Sequence, residues 1–276
     1  MRIDLHSHSA ASDGTDPPAE VVARARAASV DVLALTDHDT LAGLAAARAA
    51  LPPGLTLVSG MELSSRLDGH SVHLLSYLPA GINAELAAET AAIRADRLRR
   101  GQAMVQRLRE LGVDISWDQV AALAAGGSVG RPHIARAMVA AGAIGEPREA
   151  FSPDWIGTGG RAYVSRYALD PARAIGLVRG SGGAVVLAHP GALSRGWRIP
   201  DSAIAELAAA GLAGLEVDHP DHDAAERARL RTLAADLGLL TTGGSDDHGS
   251  LTGHRLGCET TSPEAFERLM AQTSGS

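Results

Sequence analysis

Short apolar runs recur along this chain, and nearly every one ends at a histidine or a carboxylate. Residues 2–5 lead into His6 and His8, with Asp13 five residues further on. Residues 32–36 lead into Asp37, His38 and Asp39, and residues 55–59 into Glu62. His73 lies within the run 71–78, His189 follows 184–187, and Asp246 and His248 follow 239–242. A further run covers 214–217. Between these runs the apolar spacing is helical, at 17–29, 41–50, 201–210, 223–237 and after Asp170 and Ser262. Pro17-Pro18, Asp170-Pro171 and Ser262-Pro263 read as helix starts, where Pro or a capping oxygen suits the orphan N–H groups. Repeated strand–helix alternation predicts a parallel α/β architecture, and about seven strands suit a barrel better than an open sheet. In a β/α barrel the C-terminal strand ends share one rim, so the polar residues after each run are expected to meet there.

The alternation stops from about residue 83 to 160. That stretch is rich in Ala, Leu and Arg at helical spacing, punctuated by Gly112, Gly126-Gly127 and Gly142. The expected organisation is one domain over 1–276, with a core of 1–82 and 161–276 and a helical insertion over 83–160. A hydrophobic content of 45% over 276 residues is enough to bury a sizeable core.

Composition removes several kinds of chemistry. All 25 basic residues are Arg, so a P-loop, a Schiff base and a carboxylated-lysine metal bridge are excluded. Cys258 is the single cysteine, which excludes an intrachain disulfide and a cysteine-rich zinc site. A net charge of −7 and 3% aromatics argue against a broad nucleic-acid surface, and so against long duplex partners. No run is long and apolar enough to span a membrane, and the N-terminus lacks a signal-peptide core, which predicts a cytoplasmic protein.

Imidazoles and carboxylates without thiolate suit a hard-to-borderline divalent metal. Nine candidates exceed the three or four ligands of one open site, so two or three ions are expected: Mn²⁺ foremost, then Fe²⁺ or Zn²⁺. Such sites commonly clamp phosphoryl oxygens. Asp37 and Asp4 read as partners that orient imidazoles, and Asp37 joins the catalytic candidates on that ground. Asp247 competes with Asp246 as a ligand. His70, three residues before His73, would face the other side of its strand.

Asp4-Leu5-His6-Ser7-His8, Ser12-Asp13-Gly14, Thr36-Asp37-His38-Asp39, Gly60-Met61-Glu62, His73, Ala188-His189-Pro190 and Ser245-Asp246-Asp247-His248 together resemble the PHP (polymerase and histidinol phosphatase) family of metal-dependent phosphoesterases. The resemblance covers nearly the whole chain. It implies a distorted (β/α)7 barrel with a trinuclear metal centre. His6, His8, Glu62 and Asp246 would hold one ion. Glu62, as a bridge, with His73 and His189 would hold a second, and Asp13, His38 and His248 a third. The family pattern Asp-x-His favours Asp246 over Asp247.

Gly130-Arg131-Pro132-His133 and Glu216-Val217-Asp218-His219-Pro220 resemble the members that dephosphorylate nucleoside 3′,5′-bisphosphates, some of which trim short RNA from the 5′ end. Arg131 and His133 at a helix start would hold the second phosphate, with Arg161 as a further grip and Arg195 and Arg198 as weaker ones. His189 or His219 would protonate the leaving oxygen, and His219 also has substrate contact open to it. Trp117, Trp155 and Trp197 could pack a nucleobase or simply fill core. His222 reads as helix-start surface, and His254 has no assigned role. The expected function is a metal-dependent phosphomonoesterase acting on nucleoside 3′,5′-bisphosphates. The rivals are a 5′→3′ exoribonuclease on short RNA, a histidinol-phosphate phosphatase and a silent binding module. No protein partner is implied.

Overall fold

The computed structural model describes residues 1–124, 129–192 and 197–273. Gly126-Gly127, Arg195 and the last residues of the tail lie outside them. Seven strands form one sheet in sequential order: β1 (Ile3–Asp4), β2 (Val32–Leu35), β3 (Thr56–Leu67), β4 (His70–Tyr77), β5 (Ala184–Leu187), β6 (Gly214–Asp218) and β7 (Leu240–Gly243). All neighbours are parallel except β4, which is antiparallel to both β3 and β5. The two ends of the sheet then approach. Leu5 N–H donates to Gly243 C=O, Asp246 N–H to His6 C=O and His8 N–H to Asp247 C=O. The expected distorted, nearly closed seven-stranded α/β barrel is the fold observed.

Both faces of the parallel strands are covered, which is why they read as unbroken apolar runs. In β2, Val32 and Ala34 join Ile3, Leu5 and Val186 inside the barrel. Leu33 and Leu35 point outward onto Val21, Val22 and Leu44 of helices α1 (Pro18–Ala27) and α2 (Leu44–Ala49). Each such fully buried side chain stabilises the fold by roughly 1.5–3 kcal/mol.

β3 is much longer than the expected 55–59, because it continues past the barrel as a two-stranded ribbon with β4. Ser64, Ser65 and Arg66 hide that extension from an apolar reading. The ribbon turns at Asp68-Gly69, both left-handed (φ 48° and 85°), as a two-residue hairpin requires. Glu62 therefore lies within β3, opposite Leu75, and does not follow the strand.

Between β4 and β5 the chain makes a helical excursion. Helix α3 (Ala84–Glu110) starts where the Asn83 side chain accepts the Leu86 N–H at 2.9 Å. It buries Leu86 and Ile93 against the barrel, and Met104, Val105 and Leu108 in a second apolar cluster. That cluster includes Val120 of α4 (Trp117–Leu123), Ile134 and Met138 of α5 (Arg131–Ala140), Ile156 and Ala162, and no strand residue. Helices α6 (Pro171–Gly180), α7 (Asp201–Ala209) and α8 (Ala224–Leu237) then pack Ile175, Ile204 and Leu230 onto the outer face. Helix α9 (Pro263–Met270) places Leu269 in the inner cluster. Among the described residues no helix is long and apolar enough to cross a membrane.

Candidate active site

Side chains alternate along β3, so Met61 and Leu63 face the outer core while Glu62 faces the barrel mouth. Five imidazoles meet its carboxylate. Oε2 lies 3.4 Å from His6 Nε2, 3.1 Å from His8 Nε2 and 3.2 Å from His38 Nδ1. Oε1 lies 2.6 Å from His73 Nδ1 and 3.0 Å from His189 Nε2. Asp246 Oδ1 is 3.2 Å from Nε2 of both His6 and His8. Asp13 faces His248 Nε2 at 3.4 Å and His38 Nε2 at 3.6 Å. All nine residues singled out by the sequence are thus brought together at one rim.

The cluster has the chemistry of a metal site. Nε2 of His6 and Nε2 of His8 lie 3.1 Å apart, two ring nitrogens aimed at one point. Among the described residues, buried Nδ1 of His8 has no hydrogen-bond partner, and Nδ1 of His38, though 3.2 Å from Glu62 Oε2, makes no well-formed hydrogen bond. Three groups bring potential ligand atoms within 4.8 Å of one another: His6, His8, Glu62 and Asp246; His8, Asp13, His38 and His248; and His38, Glu62 and His73. The second of these adds His8 to the set expected for the third ion. The third contains His38 where His189 was expected, although His189 also contacts Glu62.

Electrostatics bind the cluster even as protons occupy it. Burial disfavours charge on His8, but Asp246 and Glu62 outweigh it and push the imidazole up to about 10. For His6, burial is likewise outweighed, by Glu216, Asp246 and Glu62, and its pKa rises. Burial opposes the charges of Glu62, Asp13 and Asp246, yet the surrounding imidazoles hold all three well below the usual carboxylate range.

A layer of carboxylates holds these ligands in place. Glu216, buried within β6, contacts His6 Nδ1 at 2.9 Å and accepts the His189 N–H at 2.8 Å. The sequence reading quoted Glu216 only inside a motif; an acid within an apolar strand was the signal available. Asp37 accepts from Ser9 N–H, Ser9 Oγ and Ser12 Oγ at 2.7–2.8 Å, which fixes the loop carrying Asp13. Asp4 accepts the backbone N–H groups of His6, Ser245 and Gly257, so it pins chain segments and orients no imidazole. Asp247 accepts from Gly249 N–H, Thr252 Oγ1 and Arg255 N–H, and is turned away from the cluster. His219 Nε2 lies 3.3 Å from Asp246 Oδ2, while its Nδ1 accepts the Asp221 N–H. His222 is buried, accepting the Gly191 N–H, and is not the surface residue expected. His189, Asp246 and Asp39 all have positive φ (31°, 47° and 55°), a costly backbone for non-glycine residues that concentrates at functional sites.

The cluster forms one side of a cavity of about 460 Å³. Five arginines line the rest of it: Arg66, Arg97, Arg100, Arg131 and Arg166. Arg97 and Arg100 are one helical turn apart on α3, and Arg97 pairs with the buried Asp39. Arg166 donates to Ser65 C=O at 2.9 Å and Ser71 Oγ at 2.6 Å. Ser71 Oγ in turn lies 3.2 Å from His73 Nε2. Arg131 stands 5.4 Å over the Phe151 ring. Burial, then repulsion from Arg131 and Arg97, lowers Arg100 to about 10, and burial together with Arg97 lowers Arg166 to about 9. Nε of Arg100 is buried without a hydrogen-bond partner among the described residues.

Of the expected phosphate grips, only Arg131 borders this cavity. His133 is buried, with Nδ1 accepting the Gly130 N–H at 3.0 Å as a helix cap. Arg161 is exposed and does not line the cavity. Arg198 pairs with Glu226, and Arg195 lies outside the described residues. Arg97 and Arg100 went unread because single arginines in a helix-rich stretch look like solvated surface, and Arg166 because it stands in irregular chain. His70 and Trp197 also line the cavity, with rings stacked 4.2 Å apart.

Comparison with known proteins gives the following likenesses. The PHP domain model matches residues 4–112. The chain is 35% identical to a 3′,5′-nucleoside bisphosphate phosphatase of Chromobacterium violaceum, over 92% of this chain and 89% of the relative. It is 33% identical to a 5′-3′ exoribonuclease of Haemophilus influenzae, over 90% of each. It is 34% identical to a phosphoribosyl 1,2-cyclic phosphate 1,2-diphosphodiesterase of Eggerthella lenta, over 89% of this chain and 94% of the relative. A crystal structure from Bifidobacterium adolescentis, provisionally assigned as a metal-dependent phosphoesterase, superposes with TM-score 0.91 at 36% identity, covering 98% of this chain and 96% of that one. A Chromobacterium violaceum structure described as an amidohydrolase, with bound sulfate and no metal, superposes with TM-score 0.85 at 32% identity, covering 99% and 97%.

Proposed function

The chain belongs to the PHP-domain family and is a hydrolase of phosphate esters, and from that premise we propose that its substrate is a nucleoside 3′,5′-bisphosphate. The observation that carries this reading is the two-sided cavity. A His/carboxylate cluster and five arginines line one cavity of about 460 Å³, which is room for a ligand with two anionic groups. One phosphate meets the cluster; the other meets Arg97, Arg100, Arg131 and Arg166.

We assign His6, His8, Glu62 and Asp246 to one divalent ion, Glu62, His73 and His189 to a second, and Asp13, His38 and His248 to a third, with Mn²⁺ the favoured metal. Ions held there supply Lewis acidity toward the phosphoryl oxygens and a lowered pKa for water. The chain's own part is orientation. Arg131 and Arg166 offer planar, bidentate donors to phosphate oxygens. Of the catalytic candidates, His189 borders the cavity. His219 and Asp37 stand behind Asp246 and the Asp13 loop, and act as positioning residues. With no lysine in the chain, the carboxylated-lysine bridge is closed to it, and Glu62 is the residue that would serve two ions.

A second reading is a 5′→3′ exonuclease on short RNA, favoured by the exoribonuclease relative. A 5′-phosphorylated RNA end also presents two neighbouring anions. The test is phosphate release from adenosine 3′,5′-bisphosphate with Mn²⁺, beside AMP, histidinol phosphate and a 5′-phosphorylated trinucleotide. Fast, chelator-sensitive release from the bisphosphate is expected. Faster cleavage of the trinucleotide would move the assignment to the nuclease, and preference for histidinol phosphate would overturn both.

A further inference from the structure

The chain has only three tryptophans, and one of them, Trp197, lies at the cavity wall against a histidine ring. His70 and Trp197 lie 4.2 Å apart at an interplanar angle of 8°, which is a true parallel stack. His70 opens β4 beside the Asp68-Gly69 turn and is exposed; Trp197 is half-buried against the outer core. His70 is on the opposite face of its strand from His73, as alternation demands, but at the ribbon's end the cavity reaches both faces. The stack stands three residues from His73, about 10 Å along an extended strand. Ser71, between His70 and His73 on the strand, accepts a hydrogen bond from Arg166 at 2.6 Å. A flat π surface thus adjoins both the metal-ligating cluster and the arginine wall.

We propose that the His70–Trp197 pair is the platform on which the nucleobase of the substrate stacks, an inference that rests on the nucleotide reading above. Phosphate grips fix the charged ends of the ligand, and the stacked rings select for a base between or beside them. Every base has a π face, so this contact favours nucleotides over other bisphosphates while tolerating different bases. His70, exposed at the ribbon's end, offers its outer face to the base, and Trp197, packed against the outer core, backs it as the second layer of the stack.

The test separates the platform from turnover. The probe is the bisphosphonate analogue of adenosine 3′,5′-bisphosphate, with carbon replacing each ester oxygen, titrated by calorimetry into metal-loaded protein. Its abasic counterpart is titrated beside it. The wild type is expected to bind the nucleoside analogue roughly tenfold or more tightly than the abasic one, within the range of measured base–aromatic stacking. Trp197→Ala and His70→Ala are expected to bring that ratio close to one without weakening the abasic ligand, and Trp197→Phe to keep most of it. Equal affinity of the wild type for both ligands overturns the platform, as does equal weakening of both by the variants. Should Trp197→Ala fail to fold, His70→Ala decides, because its side chain is exposed. Should the wild type release no phosphate from the bisphosphate, the substrate reading fails while the calorimetric ratio still judges the platform.

Discussion

The two walls of the cavity are built on opposite principles. The barrel wall concentrates imidazoles and carboxylates whose charges offset one another, and each ligand is braced by a second buried group: Glu216 for His6, Asp37 for the Asp13 loop. The other wall concentrates guanidiniums of one sign, drawn from β3, α3, α5 and irregular chain, and burial with mutual repulsion depresses Arg100 and Arg166. The first wall is close to self-sufficient once cations arrive. In the second, Arg97 pairs with Asp39 and Arg166 is held by Ser65 and Ser71, yet positive charges still crowd one another there, a setting that an anionic ligand would relieve.

The largest effect should come from the barrel wall. Glu62→Gln removes the carboxylate met by five imidazoles. Activity is expected to fall by more than about a hundredfold, since even outer partners of metal ligands cost ten- to a hundredfold. Bound metal measured by atomic emission should fall with it; retained metal with full activity would break the assignment.

On the other wall, Arg100→Ala or Arg166→Ala should raise KM for the bisphosphate roughly ten- to a hundredfold, the worth of a hydrogen bond to a charged group. Metal content should stay unchanged. Arg131→Ala should lower the bisphosphate-to-monophosphate rate ratio, and an unchanged ratio would remove Arg131 from the grip. Sulfate should raise the Tm of the wild type more than that of either variant, because an anion bound only by the folded state stabilises it.

Metal removal should reverse the pH dependence of the barrel wall. Without metal, His6 and His8 are raised, so their contribution is complete below about pH 6.5 and is lost as pH climbs toward about 10. Glu62, Asp13 and Asp246 are depressed, so theirs is present above about pH 4.5 and lost on acidification. Chelated protein should therefore have a lower Tm at pH 8.5 than at pH 5.5. Metal-loaded protein should show the opposite trend, since ions displace those protons. Matching trends with and without chelator would count against a metal-ligating cluster.

The smallest effect sharpens the contrast. Ser116→Ala removes the capping box of α4, a helix none of whose described residues lines the cavity. A loss of about 1 kcal/mol in unfolding free energy is expected, with KM unchanged.

The walls also differ in how legible they were. His6, His8, His38 and His189 follow apolar strands, and a histidine in that place has few structural duties, so the barrel wall could be read residue by residue. The arginine wall could not. Arg97, Arg100 and Arg166 sit among 25 arginines, and only three-dimensional packing turns three of them inward. His133 and Arg161 were drawn from motif position, yet one caps a helix and the other is exposed. The extension of β3 beyond residue 59 was missed for a related reason: Ser64, Ser65 and Arg66 break the apolar pattern that marks a strand, whereas β4 was read, at 71–78. Asp68-Gly69 was the local clue to the turn between the two strands.

The reversal of β4 has a consequence for traffic along the chain. A strand run against its neighbours delivers the chain to the floor of the barrel, away from the mouth. Asn83 shows the landing point, since it bonds Gly180 and Ser181 just before β5 begins. Any segment that is to work at the mouth must climb back, and α3 is that staircase. From Asn83 to Arg97 it rises about 20 Å at 1.5 Å per residue, and there Arg94 and Arg97 meet Asp39 at the rim. One inverted strand thus accounts for the length of the helix, the height at which its arginines emerge, and the overhang of α4 and α5 beyond them.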